Sequence, residues 1–156
     1  MKGDPDIHEI LNELLTMELT HINQYFVHSR MCENWGYHRL AKKKREESVE
    51  EMKHADALIA RLLFLEGVPN MQRLGPVRVG EDPIEQHELD LAAEAAAVQK
   101  INKWIQIAHD KGDSGTRELL AEILTQEEES LDWHETQLTL VKQLGREHYL
   151  AQQLGE

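Results

Sequence analysis

The chain has 156 residues, 40% of them hydrophobic and 29% charged, with few glycines and prolines, which points to one all-α domain over residues 1–156. A formal net charge of −12 excludes a nucleic-acid binder working through a basic surface, and suits a protein that gathers cations. The lone Cys32 excludes a disulfide framework and a cysteine-ligated zinc site and predicts a reducing cytoplasmic setting; the opening Met1-Lys2-Gly3-Asp4-Pro5-Asp6 has no apolar signal-peptide core, and no apolar run is long enough to span a membrane.

Asp4 and Pro5 predict a helix start, with Asp as cap and Pro at the first helical position. The first helix runs over about 5–34, with Leu11, Leu14, Leu15, Glu18, Ile22, Tyr25 and Ser29 on its inward face, until Trp35-Gly36 breaks it. A second helix covers about 37–66. Lys44, Glu47, Glu51, His54, Ala55, Leu58, Leu62 and Leu65 share one face, and Gly67 stands where a C-terminal glycine is expected. Residues 67–82 hold Pro69, Gly75, Pro76 and Gly80 and read as a crossover along the length of a bundle. Asp82-Pro83-Ile84-Glu85 is a capped start for a third helix over 83–111, with His87, Asp90, Leu91, Glu94, Val98, Ile101 and Ile105 inward. Gly112 to Gly115 reads as a tight turn. A fourth helix covers 116–144, with Leu120, Ile123, Leu124, Glu127, Leu131, His134, Leu138 and Val141 inward, and a short fifth helix covers 146–154.

Four helices of about 40–45 Å, joined by two short turns and one long crossover between the second and third, give the ferritin-like variant of the four-helix bundle. Glu51 and His54 form a Glu-x-x-His pair, which presents a carboxylate and an imidazole on one face in a manner suited to iron, manganese or zinc. An internal repeat extends this. Glu51 lies 33 residues after Glu18, Glu127 lies 33 after Glu94, and the two sets are offset by 76. Four carboxylates in four apolar stripes are too costly to bury as unpaired anions, so they meet cations or share protons. Two metal ions at the bundle centre satisfy them. The repeat reserves position 130 for a second histidine, but Ser130 stands there, a poor ligand for a divalent metal. His134, one turn later, has two readings: a ligand, directly or through water, and a core histidine bonded to a carboxylate, the second being the more ordinary.

The sequence resembles bacterioferritin over nearly its whole length. The resemblance is carried by Met1-Lys2-Gly3-Asp4, Ile22-Asn23-Gln24-Tyr25-Phe26, Trp35-Gly36, Glu50-Glu51-Met52-Lys53-His54-Ala55-Asp56, Leu63-Phe64-Leu65-Glu66-Gly67, Glu127-Glu128-Glu129, Asp132-Trp133 and Glu135-Thr136-Gln137-Leu138. It implies a hollow shell of twenty-four subunits that stores ferric mineral. It implies a di-iron ferroxidase centre at Glu18, Glu51, His54, Glu94 and Glu127, and haem b held by Met52 between paired subunits. The family's sixth iron ligand falls on Ser130, which puts full ferroxidase activity in question. The alternative is a haem-bearing structural subunit with an impaired iron site, co-assembled with a second, competent subunit. A di-iron peroxidase of the rubrerythrin kind is weakened by the lack of a Cys-x-x-Cys site.

Met52, Ile59 and Leu63, with Leu19 and Phe26 on the first helix, form a second apolar stripe that predicts a two-fold dimer face, where paired thioethers can meet one haem iron. Tyr25 is a candidate hydrogen-bond donor to a ligand carboxylate or an electron donor. Trp35 and Trp133 are candidate relays or simply packed rings. Glu46, Glu47 and Glu50 either face an iron-collecting cavity or form a solvated acidic face. The resemblance implies an iron-entry pore involving Asn34, Glu66, Asp132 and His148, and docking of a small reducing ferredoxin near Val68, Glu81 and Glu85.

Overall fold

The computed structural model describes residues 1–155. Asp4 starts the first helix, α1 (Pro5–Trp35), by accepting a hydrogen bond from the Asp6 backbone N–H, and Gly36 ends it with φ 88°, a left-handed conformation that glycine adopts without strain. The helices α2 (His38–Phe64), α3 (Pro83–Asp110), α4 (Ser114–Leu144) and α5 (Arg146–Ala151) follow, with no strand among the described residues. α1 pairs with α2 and α3 with α4, and the crossover makes α2 and α3 run the same way. This is the four-helix bundle with crossover and short fifth helix that the periodicity predicts.

The structure corrects several ends. α2 stops at Phe64, and the left-handed residue after it is Glu66 (φ 60°), not Gly67. Gly67 N–H bonds Leu62 O and Glu66 N–H bonds Leu63 O, closing the helix with paired backward bonds. Space at Gly67 is tight, since a Cβ there would lie 3.0 Å from the His8 ring. α4 begins two residues before its expected start. Asp113, held by Arg61 at 2.8 Å, accepts from the Thr116 N–H, so Ser114 and Gly115 are already helical. α5 ends at Ala151, short of residue 154. Residue 156 of the expected domain lies outside the described residues.

Along its axis the interior is tiered. At the end holding the N-terminus of α1, Leu11, Leu14, Leu15, Leu58, Leu62, Ile101 and Leu120 are fully buried and form the apolar core. The middle tier holds carboxylates. The end nearer α5 is polar: Lys44, buried without exposure, donates to Asp90 Oδ2 and to His87 Nδ1, while Gln24 and His28 also bond Asp90. His87 Nε2 in turn bonds Tyr149 of α5 at 2.9 Å.

The crossover is laced to α1 by one polar rung per turn. Asn12 accepts from Asn70 N–H, Thr16 from Arg73, Thr20 from Gly75 N–H, Gln24 from Arg78 N–H and His28 from Gly80 N–H, at 2.8–3.1 Å. These positions recur every four residues and hold the segment to one flank of α1.

Candidate metal centre

One turn beyond the apolar core, Glu18, Glu51, Glu94 and Glu127 bring one carboxylate from each long helix to the bundle axis, each no more than 1% exposed. His54, one turn after Glu51, turns its Nδ1 inward, 3.2 Å from both Glu18 Oε2 and Glu127 Oε1. Its Nε2 donates to Gln126 Oε1, which fixes the ring. Tyr25 OH donates to Glu94 Oε1 at 2.6 Å and accepts from His134 Nε2 at 2.9 Å. The five residues expected as metal ligands therefore lie together.

A residue outside that expectation joins them. His21 on α1 is buried, with Nδ1 3.8 Å from Glu51 Oε2. Two groups of donor atoms are close enough to hold an ion each, with every atom within 4.8 Å of the others: Glu18, Glu51, His54 and Glu127, and His21, Glu51, Glu94 and Glu127. Glu51 and Glu127 are common to both. Glu18 Oε1, Glu51 Oε2, Glu94 Oε2, both Glu127 oxygens and His21 Nδ1 are buried without a hydrogen-bond partner. Such orphaned atoms are rare unless something else satisfies them.

The electrostatics carry the same message. Burial raises Glu18, and the Glu127 charge adds to it. Burial, then neighbouring carboxylates, lift Glu51 and Glu94 well above the usual carboxylate range. Glu127 is the exception: burial alone would raise it, but the adjoining Glu94 carboxyl and His54 ring hold it at about 2. His54 is correspondingly pushed up to about 10, since the Glu127 and Glu18 carboxylates beside it outweigh burial. Without a cation, the cluster keeps a Glu127–His54 ion pair and stores protons on the remaining carboxyls. Four carboxylates carry the charge that two divalent ions neutralise.

The remaining candidates fall elsewhere. Ser130 donates to Glu47 Oε2 at 2.7 Å, so its hydroxyl is committed to α2. His134 belongs to neither donor group. Burial first, then Lys44, lowers it to about 3, and it packs as a neutral ring against Tyr25, His87 and Trp133. Glu47 is buried, Glu50 half-buried and Glu46 exposed. Glu47, Glu50, Glu51, His54, Glu129 and Ser130 line an opening of about 330 Å³ between α2 and α4, an acidic path to the cluster. Met52 lies outside the bundle, 57% exposed, beside a cavity of about 150 Å³ that Phe26, Val49 and Arg45 also line.

The sequence did carry a signal for His21. Glu18-Leu19-Thr20-His21 has the spacing of Glu51-Met52-Lys53-His54, and His21 precedes His54 by the same 33 residues that separate the two glutamates. Placing Ile22 inward hid it. Ile22 is only half-buried and faces the Met52 cavity, while His21 turns to the axis.

The model for a ferritin-like domain matches residues 8–153. The chain is 51% identical to a bacterioferritin of Mycobacterium leprae over 97% of this chain and 96% of that protein. It is 48% identical to one of Rhodobacter capsulatus, over 93% and 90% of the two chains. A bacterioferritin of Brucella melitensis is 46% identical, over 96% and 92%.

Proposed function

This chain belongs to the bacterioferritin family, and on that premise we propose that it stores iron, taking up ferrous ions at the buried cluster and oxidising them before they enter a mineral. The observation that carries the proposal is the set of orphaned, buried carboxylate oxygens contributed by all four long helices. Glu18, Glu51, His54, Glu94 and Glu127 are the ligands in this reading, with Glu51 and Glu127 shared between two ions. Each ferrous ion gives one electron to dioxygen or peroxide. The anionic ligands favour the more highly charged ferric product, and protons held by Glu51 and Glu94 leave as the ions enter. The opening between α2 and α4 is the route by which ions reach or leave the cluster.

The shell is built from twenty-four copies in two-fold pairs that cover the apolar α1–α2 face, or from a mixture with a second bacterioferritin chain. It works in the cytoplasm. Exposed Asn34, Glu66, Asp132 and His148 contribute to pores for ion entry. A small ferredoxin docks near Val68, Glu81 and Glu85 as the reductant for release. An exposed thioether in an apolar patch, with Arg45 lining the same cavity, fits haem b held by Met52 from each of two copies, where it would supply a one-electron relay.

Stopped-flow mixing of ferrous iron and oxygen with the assembled protein tests this. The native chain is expected to oxidise iron far faster than buffer, and Glu127→Gln to fall to background. Equal rates would sink the proposal.

Ser130 favours a second reading, the haem-bearing subunit with an impaired iron site in a mixed shell, because its hydroxyl is bound to Glu47. A homopolymer at background rate, restored by Ser130→His, would support that reading instead.

A further inference from the structure

We propose that His21 supplies the imidazole for the second metal position, the position for which the internal repeat leads to Ser130. The inference rests on the metal-centre reading above and assigns to it a ligand that the repeat does not supply.

Three observations converge. The first is placement. A ring nitrogen of His21 lies within 4.8 Å of carboxylate oxygens of Glu51, Glu94 and Glu127, the same carboxylates that remain once Glu18 and His54 serve the first position. Its 3.8 Å separation from Glu51 Oε2 is too long for a hydrogen bond. Two donors each about 2.1 Å from one ion stand roughly 3–4 Å apart, so the distance suits shared coordination. The second is the lack of another partner. His21 is 5% exposed, and its Nδ1 is buried with no hydrogen bond. His28 and His87 satisfy both of their ring nitrogens, and His134 Nδ1 is unpartnered like that of His21, but of these unpartnered histidines only His21 belongs to a group of carboxylate donors close enough to share an ion. The third is symmetry of construction. His21 follows Glu18 by three residues as His54 follows Glu51, and both rings turn Nδ1 to the cluster.

Ser130 is not the competitor. Its hydroxyl is directed at Glu47, on the α2–α4 side. His21 approaches from the opposite side, where it lines a cavity of about 240 Å³ beneath the crossover, between α1 and α3. With the ring proton on Nε2, the Nδ1 lone pair is free for an ion. Both imidazoles then come from the first half of the chain, whereas the repeat suggests one from each half.

The test is anaerobic titration of the metal-free assembly with Co(II), read by equilibrium dialysis and by the visible cobalt bands, together with anomalous diffraction at the cobalt edge. The native chain is expected to bind two ions per subunit, with one density in bonding distance of the His21 ring. His21→Ala is expected to keep one ion and to weaken the other by more than about 100-fold, beyond the usual effect of losing an outer-sphere partner. Ser130→His added to His21→Ala is expected to restore two. Two ions of unchanged affinity in His21→Ala, or a native second ion away from His21, would overturn the assignment and leave the carboxylate centre standing. A single ion in the native chain, unaffected by His21→Ala, would overturn it equally. No cobalt in the native cluster would overturn the metal-centre reading itself. Should His21→Ala fail to assemble, the anomalous map of the native protein decides alone.

Discussion

Glu51 shows how one side chain can trade stability for binding. Its carboxyl holds a proton more tightly folded than unfolded, because burial and then three neighbouring carboxylates penalise the anion. Its contribution to stability is complete below the ordinary value of 4.5 and is lost as pH climbs through the raised one. His54, raised to about 10, acts in the same sense: its contribution is complete below 6.5 and fades as pH passes 10. Asp90 acts oppositely. Although burial alone would raise it, Lys44 and His28 depress it, so its contribution is lost as pH falls below 3.8. His87 and His134, both lowered, add stability as pH rises to 6.5 and nothing beyond it, so between about pH 7 and 8 the cluster sets the slope. The thermal midpoint of the metal-free assembly is expected to fall over that range, and that of the Zn(II)-loaded assembly to hold. Glu51→Gln is expected to raise the midpoint of the metal-free protein at pH 8 and to lose most of the gain from zinc. Scanning calorimetry with and without zinc decides both; a native metal-free midpoint that rises with pH over that range would contradict the account.

The rungs between α1 and the crossover fix the register of an otherwise irregular segment. Thr20 illustrates the cost of losing one. Its hydroxyl donates to Thr16 O and accepts from Gly75 N–H. Thr20→Val keeps the shape and orphans that N–H, for an expected loss of about 1–3 kcal/mol in chemical denaturation. Gly80→Ala is expected to cost a similar amount, about 1–3 kcal/mol, because its Cβ would lie 2.6 Å from the Gln86 backbone nitrogen. The rungs also explain what the sequence conceals. Asn12, Thr16, Thr20, Gln24 and His28 form a polar row of period four, which read alone is a solvated flank. Only the crossover packed on it makes it interior. Because α1 is enclosed on that flank as well as on its α2 side, its buried arc is wider than one apolar stripe, and His21 falls within the addition. α2 has a narrower buried arc, and every residue placed inward there, from Lys44 to Leu65, is buried. The carboxylates were legible because a charge in an apolar row violates the pattern. The Lys44–Asp90 pair breaks the pattern too, but its partners come from three helices and no spacing along the chain connects them.

In the whole molecule, the face of α1 and α2 is left uncovered by this chain. Phe26, Met52 and Leu63 are all more than half exposed there. Under the proposed two-fold pairing, Leu63→Glu would set like charges opposite each other and is expected to shift sedimentation toward smaller species. On the proposed haem and iron-oxidation readings, Met52→Leu is expected to abolish haem absorbance while leaving ferrous oxidation rates intact.

The tiers along the bundle also imply uneven mobility. The leucine-rich end is held by packing that no water can replace, while the Lys44–Asp90 end is held by bonds whose partners rehydrate readily on opening. Deuterium should therefore enter amides near α5 well before those around Leu11–Leu15 and Leu58–Leu62. Metal captured at the boundary would then retard exchange chiefly on the α5 side, so that cargo stiffens the half of the subunit least able to stiffen itself.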